Sequence, residues 1–161
     1  MTMMQHREIR YIGLDVHKAT ISVAIADEGA PTSYGRIAND PSAVRTLMTR
    51  LGDPKVELHV AYEAGPTGYA LHRQLAKMRI DCIVVAPSLI PKRPGDKVKT
   101  DRRDALKLAR LLRSGDLTPV WVPNEAHEAL RNLAALPGPA IVVSTRLANG
   151  RWQSAHGGGV H

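Results

Sequence analysis

Asp15, Glu63, Asp101 and Asp104 are the residues of this 161-residue chain whose type and placement could do chemistry. Asp15 interrupts the apolar run YIGLDV, and Glu63 closes the run KVELHVAYEA. Asp101 and Asp104 stand three apart in KTDRRDA, where an amphipathic segment begins. Carboxylates that gather in space repel and raise one another's pKa. A hard divalent cation, Mg²⁺ or Mn²⁺, removes that penalty, since it takes carboxylate, water and phosphate oxygens as ligands. Two such ions can clamp the attacking and leaving oxygens of a phosphodiester. Around the 101/104 pair, Lys92, Arg93, Lys97, Lys99, Arg102 and Arg103 make a basic segment suited to backbone phosphates. The pattern points to metal-assisted work on nucleic acid.

Each acid also has a plainer explanation. Asp101 and Asp104 favour a helix N-terminus through capping and the dipole, and that pair alone fits capping as well as metal binding. Glu63 alone reads as a solvated strand end. Asp15 alone reads as a hairpin residue, although a wholly apolar strand makes that the weaker explanation. His17 and Lys18 of DVHK could approach a phosphate, although residues of a strand-end turn are the commoner explanation. EAGPTG (63–68) suits either a phosphate cradle at a helix start or an ordinary turn. His6, His59, His72 and His127 are scattered without zinc spacing, and there is no GxSxG or Walker loop. Trp121 and Trp152 suit packing better than stacking on bases.

The totals agree with an anionic partner. The formal net charge is +7, which favours nucleic acid first and an acidic membrane surface second. With 43% hydrophobic and 23% charged residues, the composition is that of a globular domain. Phe is absent, so the core must come from Val, Ile, Leu and Ala. The single cysteine, Cys82, excludes an intrachain disulfide and reads as a small buried hydrophobe. No run approaches the ~18 apolar residues of a membrane span. MTMMQHREIR lacks the apolar middle of a signal peptide, which predicts a cytoplasmic location without membrane partners.

The elements that must position the acids follow from periodicity. YIGLDV (11–16), ATISVAIA (19–26) and TSYGRIA (32–38) predict an antiparallel three-strand meander. Asn39-Asp40-Pro41 starts a helix that runs to about Leu51 with Val44, Leu47, Met48 and Leu51 on one face. KVELHVAYEA (55–64) predicts a strand, Tyr69–Lys77 a helix, and IDCIVVA (80–86) a short strand buried on both faces. After a loop over 88–100, a helix is expected from about Asp101 to Arg113, stopped by Gly115. Asp101, Asp104, Ala105, Leu108 and Leu112 form one stripe, so burying its apolar part draws the two aspartates over the sheet's end. If the first and fourth strands are neighbours, Asp15 and Glu63 approach the same place. The order predicts an α/β fold, a mixed sheet with βαβ units after the meander and helices on both faces. From residue 129 onward there is no Asp or Glu and no usable periodicity. Residues 1–133 are therefore read as one domain and 134–161 as an irregular, disordered tail.

GLDVHK (13–18), YEAGPTGY (62–69) and KTDRRDALKLARLL (99–112), followed by WVPNEAHEALRNL (121–133), resemble the N-terminal domain of the DEDD transposases of the insertion-sequence 110 family. The resemblance covers about residues 9–133 and implies a RuvC-like domain of the ribonuclease H fold. It implies that Asp15, Glu63, Asp101 and Asp104 are the D, E, D, D ligands of Mg²⁺ or Mn²⁺. It further implies prokaryotic mobile DNA, a nucleoid-associated protein, recombination guided by a structured RNA, and homo-oligomers in the full-length family. There, a separate C-terminal domain supplies a serine nucleophile. Ser144 and Ser154 match no such context, which makes a truncated copy, inactive alone, the expectation. A stand-alone RuvC-like nuclease or junction resolvase, and a non-catalytic nucleic-acid-binding remnant, are the alternatives. An actin-like kinase would need paired phosphate loops that the sequence lacks.

Overall fold

Strand formation follows the apolar runs. In the computed structural model, which describes residues 7–65, 68–91 and 101–123 (the side chains of Asp101 and Arg102 excepted), β1 spans Glu8–Val16, β2 Thr20–Ala26 and β3 Thr32–Ala38. They pair antiparallel as a meander. β1 begins earlier than its apolar run, because Glu8, Ile9 and Arg10 pair alongside Val56, Glu57 and Leu58. That partner comes from the tertiary fold. α1 (Pro41–Leu51) starts where expected: the Asp40 carboxylate accepts a hydrogen bond from the Ala43 N–H at 2.8 Å, and Pro41 sits in the first turn. Its buried residues are Val44, Leu47, Met48 and Leu51, the face read from spacing.

β4 (Val56–Glu63) runs parallel to β1, and β5 (Asp81–Val85) parallel to β4, with α2 (Ala70–Lys77) crossing between them. A single helical turn at Pro87–Leu89 interrupts what sequence alone presents as loop. α3 (Asp101–Ser114) ends at Gly115, whose φ of 75° is the left-handed conformation that only glycine adopts freely. There the Gly115 and Asp116 N–H groups donate back to Leu112 and Leu111. The strand order is β3-β2-β1-β4-β5. This is the mixed sheet of the ribonuclease H-like, RuvC-like fold, with helices on both faces. The division proposed at residue 133 lies outside the described residues.

Strand alternation splits the core. Ile12, Leu14, Ile21, Val23, Val60, Tyr62 and Val84 face α1 and α2. Beneath α2, burial pushes the Tyr62 phenol and the Cys82 thiol above their ordinary pKa ranges. The opposite face is built from small residues: Gly13, Ala24, Ala26 and Ala61 lie under Ala105, Leu108, Ala109 and Leu112 of α3. A methyl group at Gly13 would collide with the Ala105 carbonyl oxygen and come within 2.5 Å of the Ala109 nitrogen. The α3 backbone therefore lies directly on β1. At the start of β1, the Arg10 guanidinium holds Asp27 at 3.1 Å and donates to the Leu51 carbonyl, while Arg113 donates to the carbonyls of Asp27 and Gly29. The outer edge of β5 is closed by the Val120 N–H donating to Val84 O at 2.8 Å, beside a Val85–Pro119 bridge.

Gly13→Ala should therefore destabilise the fold by about 2–3 kcal/mol, read as a lower urea midpoint with an unchanged slope. A second expectation concerns His72, whose pKa burial lowers. An unfolded histidine titrates near 6.5, so the stability that neutral His72 contributes is complete above about that pH. It is lost as pH falls further, until the folded protein also takes up the proton. The urea midpoint of His72→Gln should accordingly drop less between about pH 7 and pH 5 than that of the unaltered chain.

Candidate metal and nucleic-acid site

Asp15 and Glu63 are carried by neighbouring parallel strands. The β1–β4 register ends at the pair Leu14–Tyr62, so Asp15 and Glu63 are the next residues in line on strands about 4.8 Å apart. Gly13 and Ala61, two residues earlier on each strand, touch or pack with α3, and alternation puts Asp15 and Glu63 on that same face. Asp15 is 8% exposed and Glu63 half-buried.

α3 brings Asp104 and the backbone of Asp101 to this end. Two residues beyond Gly13 the strand has advanced about 6.6 Å. Four residues back from Ala105, the helix has advanced about 6 Å in the same direction. The backbone of the first α3 turn, which carries Asp101 and Asp104, thus lies toward Asp15. Asp104 is half-buried and lines a cleft of about 170 Å³ together with Glu63, Lys107, Ser88, Pro87, Ile90 and Leu108. The expected stripe is present: Ala105, Leu108 and Leu112 are each at most 2% exposed.

Glu63 and Asp104 therefore share one cleft, with Asp15 on the adjoining strand and Asp101 at the helix start. Among the described residues no three His, Cys, Asp or Glu side chains are grouped so as to hold a metal ion by themselves. The Asp101 side chain lies outside that description. The donor chemistry fits a hard cation, because every candidate ligand is a carboxylate oxygen. Of the basic residues, Arg103 is exposed on α3, and Arg102 lies in the same turn. Lys92, Arg93, Lys97 and Lys99 lie outside the described residues, as do Pro66 and Thr67 of the EAGPTG turn.

Two side chains escape the sequence reading. Lys107 lines the cleft beside both carboxylates. Its spacing of three from Asp104 was the available signal. His17, read as a turn residue, also contacts Asp15: its Nε2 is 2.8 Å from Asp15 Oδ2. At the opposite end of the same sheet face, buried His59 lies 2.9 Å from Glu57 Oε1 and 3.7 Å from Asp81 Oδ2, with its ring edge to face against Tyr11. Carboxylates on opposite ring nitrogens suit a structural pin, and cannot share one cation with the ring.

Comparison with known proteins decides the family. The DEDD transposase model of insertion sequence 110, described as a transposase, matches residues 12–150. The chain belongs to this transposase family. A putative transposase, y4qE, of Sinorhizobium fredii is 46% identical over 134 residues, covering 81% of this chain and 34% of that protein. The transposase for insertion sequence element IS1533 of Leptospira borgpetersenii is 39% identical over 125 residues, covering 76% and 36%. The transposase chain thus spans about a third of the length of these relatives. The family match runs past Leu133, into the acid-free stretch. Among solved structures, T. thermophilus RuvC in complex with a Holliday junction substrate aligns with 69% of this chain and 99% of its own, at 12% identity and a TM-score of 0.47. Among the described residues no helix is long and apolar enough to cross a membrane.

Proposed function

We propose that this chain is the phosphodiester-handling, RuvC-like unit of a DNA transposase. Asp15, Glu63, Asp101 and Asp104 would hold Mg²⁺ or Mn²⁺, which supplies Lewis-acid polarisation of a phosphate oxygen when bound. The observation that carries the reading is that Glu63 and Asp104 face one cleft, with Asp15 next in line on the strand beside Glu63. The helix N-terminus by itself favours Asp104, but it does not account for Asp15 and Glu63 on the strands beside it. The strands and the α3 N-terminus supply the carboxylates, and rigid elements of this kind hold a site more tightly than loops.

Lys92, Arg93, Lys97, Lys99, Arg102 and Arg103 position the DNA strand by contact with its phosphates, and no sequence readout is required of them. A structured RNA and further copies of the chain are partners that the family resemblance adds to this reading. The attacking serine belongs, on the same resemblance, to a second domain, so this unit grips DNA and leaves it uncut.

Fluorescence anisotropy with a branched DNA tests the reading. Binding should weaken with salt, and Lys97→Ala, Lys99→Ala and Arg103→Ala should each reduce the log–log slope by about 0.9. Mg²⁺ should tighten binding relative to chelator, and Asp15→Asn or Asp104→Asn should abolish that increment. Binding indifferent to Mg²⁺ and to both acids would leave a non-catalytic nucleic-acid-binding module. DNA cut by the unaltered chain but not by Asp15→Asn would identify a stand-alone nuclease instead.

A further inference from the structure

The turn between β1 and β2 is tied more firmly than a hairpin closure requires. The His17 N–H donates to Thr20 O at 2.8 Å, which by itself closes the turn. Asn39, just past the end of β3, adds two more ties: its backbone N–H donates to Ala19 O at 3.0 Å, and its Nδ2–H donates to His17 O at 2.6 Å. The consequence is a fixed His17 backbone, from which the ring Nε2 rests 2.8 Å from Asp15 Oδ2. The Asp15 side chain is 12% exposed and that of His17 48%, so the ring sits on the solvent side of a nearly buried carboxylate.

We propose that His17 is a positioning residue for Asp15, and that Asn39 holds His17 in that role. The inference rests on reading Asp15 as a cation ligand. An aspartate at a strand end has two side-chain torsions to settle before it can serve as a ligand. A ring N–H donated to Oδ2 sets the carboxylate plane in advance, so less freedom is lost on binding. The contact needs a proton on Nε2, which the neutral ring and the imidazolium both provide, and a nitrogen that donates this proton is not itself a ligand. The cation is therefore left to carboxylate oxygen, as a hard ion requires.

Two measurements on the full chain test this. The first is Mn²⁺ uptake, followed by the loss of the free-ion electron paramagnetic resonance signal. His17→Ala should weaken binding about tenfold. His17→Gln, whose amide N–H reaches the same oxygen, should recover most of the loss. Asn39→Ala should cause a smaller loss. The double change His17→Ala with Asn39→Ala should bind no more weakly than His17→Ala alone, because Asn39 acts through the ring. Tighter or unchanged Mn²⁺ binding by His17→Ala, or additive losses in the double variant, would overturn the proposal. The second measurement needs no metal: the β-proton couplings of Asp15 by nuclear magnetic resonance should report one rotamer in the unaltered chain and averaging in His17→Ala. A single rotamer in both overturns the positioning role. An unaltered chain that ignores Mn²⁺ overturns the metal reading, and the rotamer measurement still decides whether His17 orients Asp15.

Discussion

The contact between the α3 backbone and Gly13 constrains the position of nearly everything at the acid end. β1 is the central strand, and α3 lies so close to it that no side chain fits between them at that point. Such an approach removes both sliding and rolling: a shift of the helix by a fraction of a turn would drive Ala105 or Ala109 into the strand. Ala24, Ala26, Ala105 and Ala109 extend the same flat seat across β2. A helix seated this way carries its first turn to a set place over the ends of β1 and β4. Asp104 and Glu63 line one cleft because Gly13 has no side chain to lift α3 off the strand.

The other anchor is at the far end. Arg113, in the last turn of α3, binds the carbonyls of Asp27 and Gly29, and Arg10 holds the Asp27 carboxylate and the end of α1. Arg10 and Arg113 thus tie one end of the sheet, while Asp15, Glu63 and Asp104 lie toward the other. The two faces divide the work as well. The face under α1 and α2 buries large branched residues and supplies most of the apolar burial, while the face under α3 exchanges bulk for close approach. The candidate site is on the second.

Helix electrostatics make the gathering of acids tolerable. The first turn of α3 carries partial positive charge, which favours Asp104 whether or not a cation is present. Capping and metal binding are therefore compatible uses of one location, although in the sequence they compete as explanations of the same two letters. Lys107 beside Glu63 and Asp104 adds a positive group of the chain's own, and His17 adds a ring N–H on Asp15. Each is set by an element that serves another purpose, the β1–β2 turn in one case and the flank of α3 in the other.

How much of this was legible beforehand follows the range of the interactions involved. Local pattern determined the elements, because strand and helix formation depend on residues two to four positions apart. The Asp40 cap, the Val44–Leu51 face of α1 and the Gly115 stop were all readable from neighbouring letters. The early start of β1 was not, since Glu8 to Arg10 are strand only because β4 lies beside them. The helical turn at Pro87–Leu89 and the closure of β5 by Val120 are likewise products of packing. For the site, residue type alone singled out the acids, because a charge inside an apolar run is visible without coordinates. Their shared face, the place of Lys107 in the cleft and the grip of His17 on Asp15 join side chains carried by different elements or aimed back along a turn. Only the tertiary structure could decide those, since contact between distant residues depends on register and helix seating, which no window of neighbouring letters contains.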